Sequence, residues 1–178
     1  GPVVGFVGEL IEEKGAQHLI RAVPRILASV PDAKFRIVGD GDYRRHLEEL
    51  VTDLGVGESV HFAGWVPGGR DQIADFDVFV FPSEPGYDGL PRVILESWHV
   101  GTPMVATRVA GVPEVVRDEV DGLLIPAKQP DAIAIAVLRL LADPELWRSL
   151  RDEGGRQAPK FDVRREVAEL KLAYSGQF

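Results

Sequence analysis

Two carboxylates, Asp88 and Glu96, bracket the segment Gly89-Leu90-Pro91-Arg92-Val93-Ile94-Leu95. Pro91 has a fixed φ and no N–H, so it belongs in the first turn of a helix. The unpaired N–H groups of Gly89, Leu90 and Arg92 then point out of that helix end, where the macrodipole favours an anion. Asp88 flanks this end, and Glu96 projects from the helix about two turns further along. An amide cradle between two acids suits a ligand with phosphate at its centre and hydroxyls on either side, which is the layout of a nucleotide sugar. A plainer reading is open as well: Asp88 caps the helix, and Glu96 pairs with Arg92 one turn back on a solvated face.

The elements that must carry these residues alternate along the chain. Strand-like apolar runs fall at Pro2–Gly8, Phe35–Val38, Val60–Ala63, Val78–Phe81, Met104–Thr107 and Gly122–Ile125. Between them, apolar residues recur at helical spacing. Ala16 to Val30 forms one such face, with Pro24 as a blemish, and Leu47, Leu50, Val51 and Leu54 a second. A short helix is expected from Pro113. Ile133, Ala136, Val137, Leu140 and Leu141 mark the next, Asp143-Pro144 starts another, and Val163, Val167, Leu170 and Tyr174 define a last one. Near-continuously apolar strands separated by helices predict a parallel sheet covered on both faces, an α/β, Rossmann-like, doubly wound domain of about six strands. Ligands of such sheets bind at the carboxyl ends of the strands, where the Gly-rich loops after the first, second and fourth strands open.

The chain has 178 residues, 45% of them apolar, which is enough for one domain with a real core; residues 3–178 read as that single domain. A formal charge of −8 argues against nucleic acid and against an anionic membrane surface as the main partner. Any phosphate site must therefore be local, built from a few cations and backbone amides. There is no cysteine, so thiolate chemistry and disulfides are excluded, which fits a cytoplasmic location. No apolar run approaches the length of a membrane span. The histidines are scattered and give no metal-ligand set. Gly1-Pro2 reads as a cloning remnant, and position 1 as the interior of a longer protein.

Taken in order, several blocks resemble the carboxyl-terminal half of glycosyltransferase family 4, the group 1 retaining glycosyltransferases of GT-B fold. Phe6-Val7-Gly8 with Glu13-Lys14-Gly15 is similar to that family's first strand and diphosphate loop, and Arg36-Ile37-Val38-Gly39-Asp40-Gly41 to its second strand and Gly turn. Val60 to Val66 resembles the third strand with its base-side loop, and Asp77 to Ser83 followed by Asp88 to Glu96 the paired-acid signature. Gly101 to Thr107, Gly111-Val112-Pro113-Glu114 and Asp121 to Pro126 complete the pattern, and Phe161 to Tyr174 resembles the closing helix. The likeness covers nearly the whole chain.

The resemblance implies roles. Lys14 clamps the donor diphosphate, Gly8 and Gly39 let backbone approach it, and Gly89 and Leu90 donate amides to the distal phosphate or sugar. Glu96 accepts hydrogen bonds from the ribose hydroxyls, Asp88 holds the transferred sugar, and Trp65 and Val66 pack the base. On the residues alone, Lys14 also reads as a solvated helix-leading lysine, Gly8 as a strand-to-loop glycine and Trp65 as a core or interface aromatic. Two positions depart from the family pattern. Asp88 stands where Glu is usual, shorter by one C–C bond of roughly 1.5 Å. Glu9, beside the diphosphate, stands where Arg is usual, and a like charge there weakens phosphate binding unless it turns to solvent or Arg92 or Arg108 substitutes.

The implied activity is metal-independent transfer of a sugar from a nucleoside-diphosphate donor with retention at the anomeric carbon, and no cofactor is expected. Acceptor groups come, by the same resemblance, from an amino-terminal domain absent from this chain, so the isolated domain is expected to be inactive alone. The alternatives are an inactive nucleotide-sugar-binding module, with Glu9 as its mark, and a nucleotide-sugar epimerase of GT-B fold. For lipid-linked acceptors the full-length protein would sit at the inner face of the membrane, although no residue of this chain speaks to it.

Overall fold

The computed structural model describes residues 1–86 and 92–161. Six strands, β1 (Val3–Val7), β2 (Lys34–Val38), β3 (Val60–Gly64), β4 (Val78–Phe81), β5 (Met104–Thr107) and β6 (Leu123–Ile125), form one sheet. Their spatial order is β3-β2-β1-β4-β5-β6, and every neighbouring pair is parallel. The chain winds outward from β1 to β3, returns to the centre and winds outward again from β4 to β6. The β1/β4 seam is therefore a topological switch point, and crevices form outside the carboxyl ends of strands near such points.

Seven α-helices lie among the described residues, the first five between successive strands and the last two after β6: α1 (Ala16–Ser29), α2 (Arg44–Asp53), α3 (Gly69–Ile73), α4 (Arg92–Val100), α5 (Val112–Val115), α6 (Pro130–Ala142) and α7 (Pro144–Gln157). Each strand divides its side chains between two cores, as the pleat requires. Val78 and Val80 of β4, Val105 of β5, and Leu123 and Ile125 of β6 join Leu19, Ile20, Val23 and Ile26 of α1 and Ile133, Val137 and Leu140 of α6. Phe79, Phe81, Met104, Ala106 and Leu124 point the other way, onto Ile73 of α3, Ile94 and Trp98 of α4 and Val112 of α5. Burial on both faces explains why the strands read as apolar runs rather than alternating ones.

The expected elements are present with small shifts of boundary. α1 runs through Pro24, whose ring lies on the exposed side of the helix. Asp143 caps α7 as expected, its carboxylate accepting from the Glu145 and Leu146 amides at 3.1 and 2.9 Å, with Pro144 in the first turn. Helix α3 is an addition: its five residues, GRDQI, carry one buried apolar side chain and no helical repeat. The closing helix expected from Val163 to Tyr174 lies outside the described residues, as do Asp88, Gly89 and Leu90. No described helix is long and apolar enough to cross a membrane.

Candidate functional site

The carboxyl rim of the sheet is built by backbone that goes on pairing past the strand ends. Gly8 N–H donates to the Val38 carbonyl at 3.0 Å, Leu10 N–H to Asp40 at 2.9 Å and Gly39 N–H to Gly64 at 2.8 Å. This tight stack explains the glycine at position 39. Its φ is +136°, and a β-carbon there would lie 1.8 Å from the Gly8 carbonyl oxygen. Gly8 and Gly39 thus make a thin floor, and their own N–H groups are used within it.

Above that floor lies a cleft of about 590 Å³. Val7, Gly8 and Glu9 enter it from the end of β1, and Val38, Gly39 and Asp40 from the end of β2. Trp65 to Gly68 enter from the end of β3, and Val93 and Glu96 close it from α4. Six of the residues singled out in the sequence, Gly8, Glu9, Gly39, Trp65, Val66 and Glu96, are therefore brought to one opening. The Trp65 side chain stands at its rim with the residue 74% exposed, an aromatic plate without a covering layer. That position disfavours the core reading of Trp65.

The described lining carries three carboxylates, Glu9, Asp40 and Glu96, and neither lysine nor arginine. Asp40 is partly offset by Arg44, 3.4 Å away. Glu96 keeps a loose 3.8 Å contact to Arg92, whose side chain is otherwise in solvent. Glu96 thus faces the cleft and also touches the cation one turn back. Arg108 is engaged by Asp118 and is not among the lining residues, so it does not serve as the substitute cation. Lys14 ends a 3-10 turn, Glu12–Lys14, on the loop after β1, at the same rim but outside the cleft lining.

A polar cluster ties the rim loops together, and nothing in the sequence had drawn attention to it. Glu84, in the loop after β4, has its carboxylate 2.8 Å from His18 Nε2 and 3.2 Å from Gln17 Nε2, both in the first turn of α1. Its other oxygen meets Lys128 Nζ at 2.5 Å, from the loop after β6. Burial pushes the Glu84 carboxyl up, but hydrogen bonds and charge from Lys128 and His18 outweigh it and hold the group below the usual carboxylate range. The Glu84 amide donates to the Glu13 carbonyl at 2.8 Å, and Gly15 packs so closely that a β-carbon there would sit 2.0 Å from the Pro82 carbonyl oxygen. Pairs separated this far along the chain leave no local signal. Among the described residues no group of three or more His, Asp or Glu side chains converges as a metal site.

Residues 1–143 match the family model described as Glycosyl transferases group 1. The chain is 40% identical over 153 residues to the lipopolysaccharide core biosynthesis glycosyltransferase LpsE of Rhizobium meliloti, covering 86% of this chain and 43% of that protein. It is 41% identical over 150 residues to a GDP-mannose-dependent alpha-(1-6)-phosphatidylinositol monomannoside mannosyltransferase of Mycolicibacterium smegmatis, covering 80% of the chain and 39% of that relative. Among solved structures, Anabaena Alr3699/HepE in complex with UDP superposes with a TM-score of 0.90 at 25% identity, over 98% of this chain and 48% of that one. The carboxyl-terminal domain of a group 1 family glycosyl transferase, LpcC from Francisella tularensis, shares the fold at a TM-score of 0.79 and 24% identity, over 90% of this chain and 85% of that one. The chain spans less than half the length of the curated relatives named here. Family match, strand order and rim architecture agree: the chain belongs to the group 1 glycosyl transferases, as a carboxyl-terminal, Rossmann-like domain of that family.

Proposed function

We propose that this domain binds the nucleoside-diphosphate sugar donor of a retaining glycosyltransferase. The observation that carries the reading is the cleft at the carboxyl rim, lined by Gly8, Glu9, Gly39, Trp65, Val66 and Glu96 beside the switch point. Its volume falls in the range of ligand pockets, roughly 300–1,000 Å³. The structures of Anabaena HepE with UDP and with UDP-glucose, and the GDP-mannose-dependent relative, support a nucleotide-sugar ligand. In this reading the base packs on Trp65 and Val66, and Glu96 accepts from the ribose hydroxyls. The diphosphate reaches the end of β1, where Lys14 and the amides of Gly89 and Leu90 meet it, and Asp88 holds the sugar.

Sugar transfer develops positive charge at the anomeric carbon and negative charge on the departing diphosphate. Lys14 and oriented amides stabilise the latter without reorganisation at the moment of reaction, so the reading needs no metal. The acceptor side belongs, on this proposal, to the part of these relatives that the chain does not match. Titration with UDP, GDP and ADP, followed by calorimetry and by the emission of the exposed Trp65, tests the reading. Saturable binding of at least one, with a changed Trp65 emission, is expected. No binding at millimolar concentration overturns it. The acidic lining around Glu9 favours one other reading, a module of the same fold that has lost tight diphosphate binding, and for it only weak, base-driven affinity is expected.

A further inference from the structure

The donor-site reading leaves Glu84 without a part, yet this carboxylate sits where three rim loops meet. We infer that Glu84 is a positioning residue of the donor site, clamping the loops after β1, β4 and β6 into the arrangement that receives the diphosphate. The inference rests on the donor-binding reading and goes beyond it by naming what holds the phosphate loops in place.

The geometry supports a clamp rather than an incidental ion pair. The side chain is only 12% exposed, and that of His18 only 9%. Both carboxylate oxygens are used, one by His18 and Gln17 of α1 and the other by Lys128 beyond β6. Gln17 Nε2 also donates to the Glu12 carbonyl at 2.8 Å, which carries the grip into the turn that ends in Lys14. The Glu84 amide reaches the same turn through Glu13, and the adjacent Ser83 carbonyl accepts from the buried Thr107 hydroxyl at 2.7 Å. Glu84 and the Ser83 carbonyl beside it thus fix the loop after β4 against α1, the Lys14 turn and β5. From Glu84 the chain runs four residues to Asp88. A nearly buried carboxylate paired with one cation, here Lys128, gives little net stability over an apolar residue of similar volume. Its use here is directional, since apolar contact cannot set loop registry as hydrogen bonds of defined geometry do.

Glu84→Gln keeps the shape and removes the charge, and Lys128→Gln removes the opposite partner. The titrations are made with UDP, GDP and ADP on the chain as it stands. Each single variant should weaken nucleotide binding about tenfold, and the double variant little more, because both act through one clamp. Glu84→Asp should recover part of the loss, and the urea midpoint should move little in any of them. Amide hydrogen exchange should show faster exchange at Gly15 and Glu84 in Glu84→Gln, while β1 and β4 keep their protection. Nucleotide binding by the parent chain that Glu84→Gln leaves unchanged overturns the role of Glu84 and leaves the donor site standing. Absence of binding by the parent overturns the donor site and this role with it. Exchange at Gly15 and Glu84 that matches the parent in Glu84→Gln refutes the clamp whatever the nucleotide does.

Discussion

Gly15→Ala is the sharpest perturbation of the rim, because two separate costs can be assigned to it and one can be measured elsewhere in the same molecule. The residue has φ of +74°, and a β-carbon there falls 2.0 Å from the Pro82 carbonyl oxygen. Gly55 has φ of +67° and nothing within 4 Å of its would-be β-carbon. Gly55→Ala therefore reports the conformational cost alone, about 1 kcal/mol for a left-handed alanine. Gly15→Ala adds displacement of backbone by more than 1 Å, which overpacking studies place at about 1–3 kcal/mol. The expected losses are thus about 1 kcal/mol at Gly55 and about 3 kcal/mol at Gly15, a difference of about 1 M in urea midpoint for a slope of about 2 kcal/mol/M. Equilibrium unfolding in urea, followed by far-ultraviolet circular dichroism, measures both. Nucleotide affinity should fall in Gly15→Ala and not in Gly55→Ala, since only the first separates the Lys14 turn from the loop after β4. Equal midpoints for the two variants would refute the close contact and, with it, the idea that Gly15 docks those loops.

Two further outcomes follow from charge. Glu9→Arg replaces an acid of the cleft lining by a cation, a two-unit change worth ~1.4 kcal/mol per phosphate charge at ~8 Å and an effective dielectric of ~60. UDP affinity should rise at least tenfold in low salt, less at high salt, and an unchanged affinity would remove the diphosphate from that end of the cleft. On the far side, hydrogen bonds from Arg117 and Arg156 lower the Glu153 carboxyl from 4.5 to about 2. A depressed folded-state value means that the ionised group stabilises the fold above its ordinary range, and that the contribution disappears as pH falls towards 2. The urea-midpoint difference between parent and Glu153→Gln should therefore shrink between pH 4.5 and pH 2, and a constant difference across that window would contradict the pairing.

The parts of this domain that could be read from the chain are those whose causes are local. Val78-Phe79-Val80-Phe81 announces a strand because it is buried on both faces, and Asp143-Pro144 announces a helix start because cap and first-turn chemistry are written in adjacent residues. Helix α3 escaped because five residues with one buried side chain have no period to detect, and it forms under tertiary contact with α4. In the site, the glycines were legible from their places after strands, whereas Trp65 entered only through the family resemblance. The engagement of Arg108 by Asp118 was not, because two residues on either side of α5 meet only once the chain folds back. The grouping of His18, Glu84 and Lys128 is the extreme case, drawn from one helix and two loops that follow three different strands.

The pairing of β1 with β4 spans only two residue matches, Val4 with Val78 and Gly5 with Phe79, fewer than any other neighbouring pair in the sheet. Most of the cleft wall is supplied from one flank of this short join and α4 from the other. A molecule held between Trp65 and Glu96 therefore spans this short join and acts as a strut across it. Occupancy should accordingly be felt as stiffening of the β1/β4 join, well below the surface that the occupant touches.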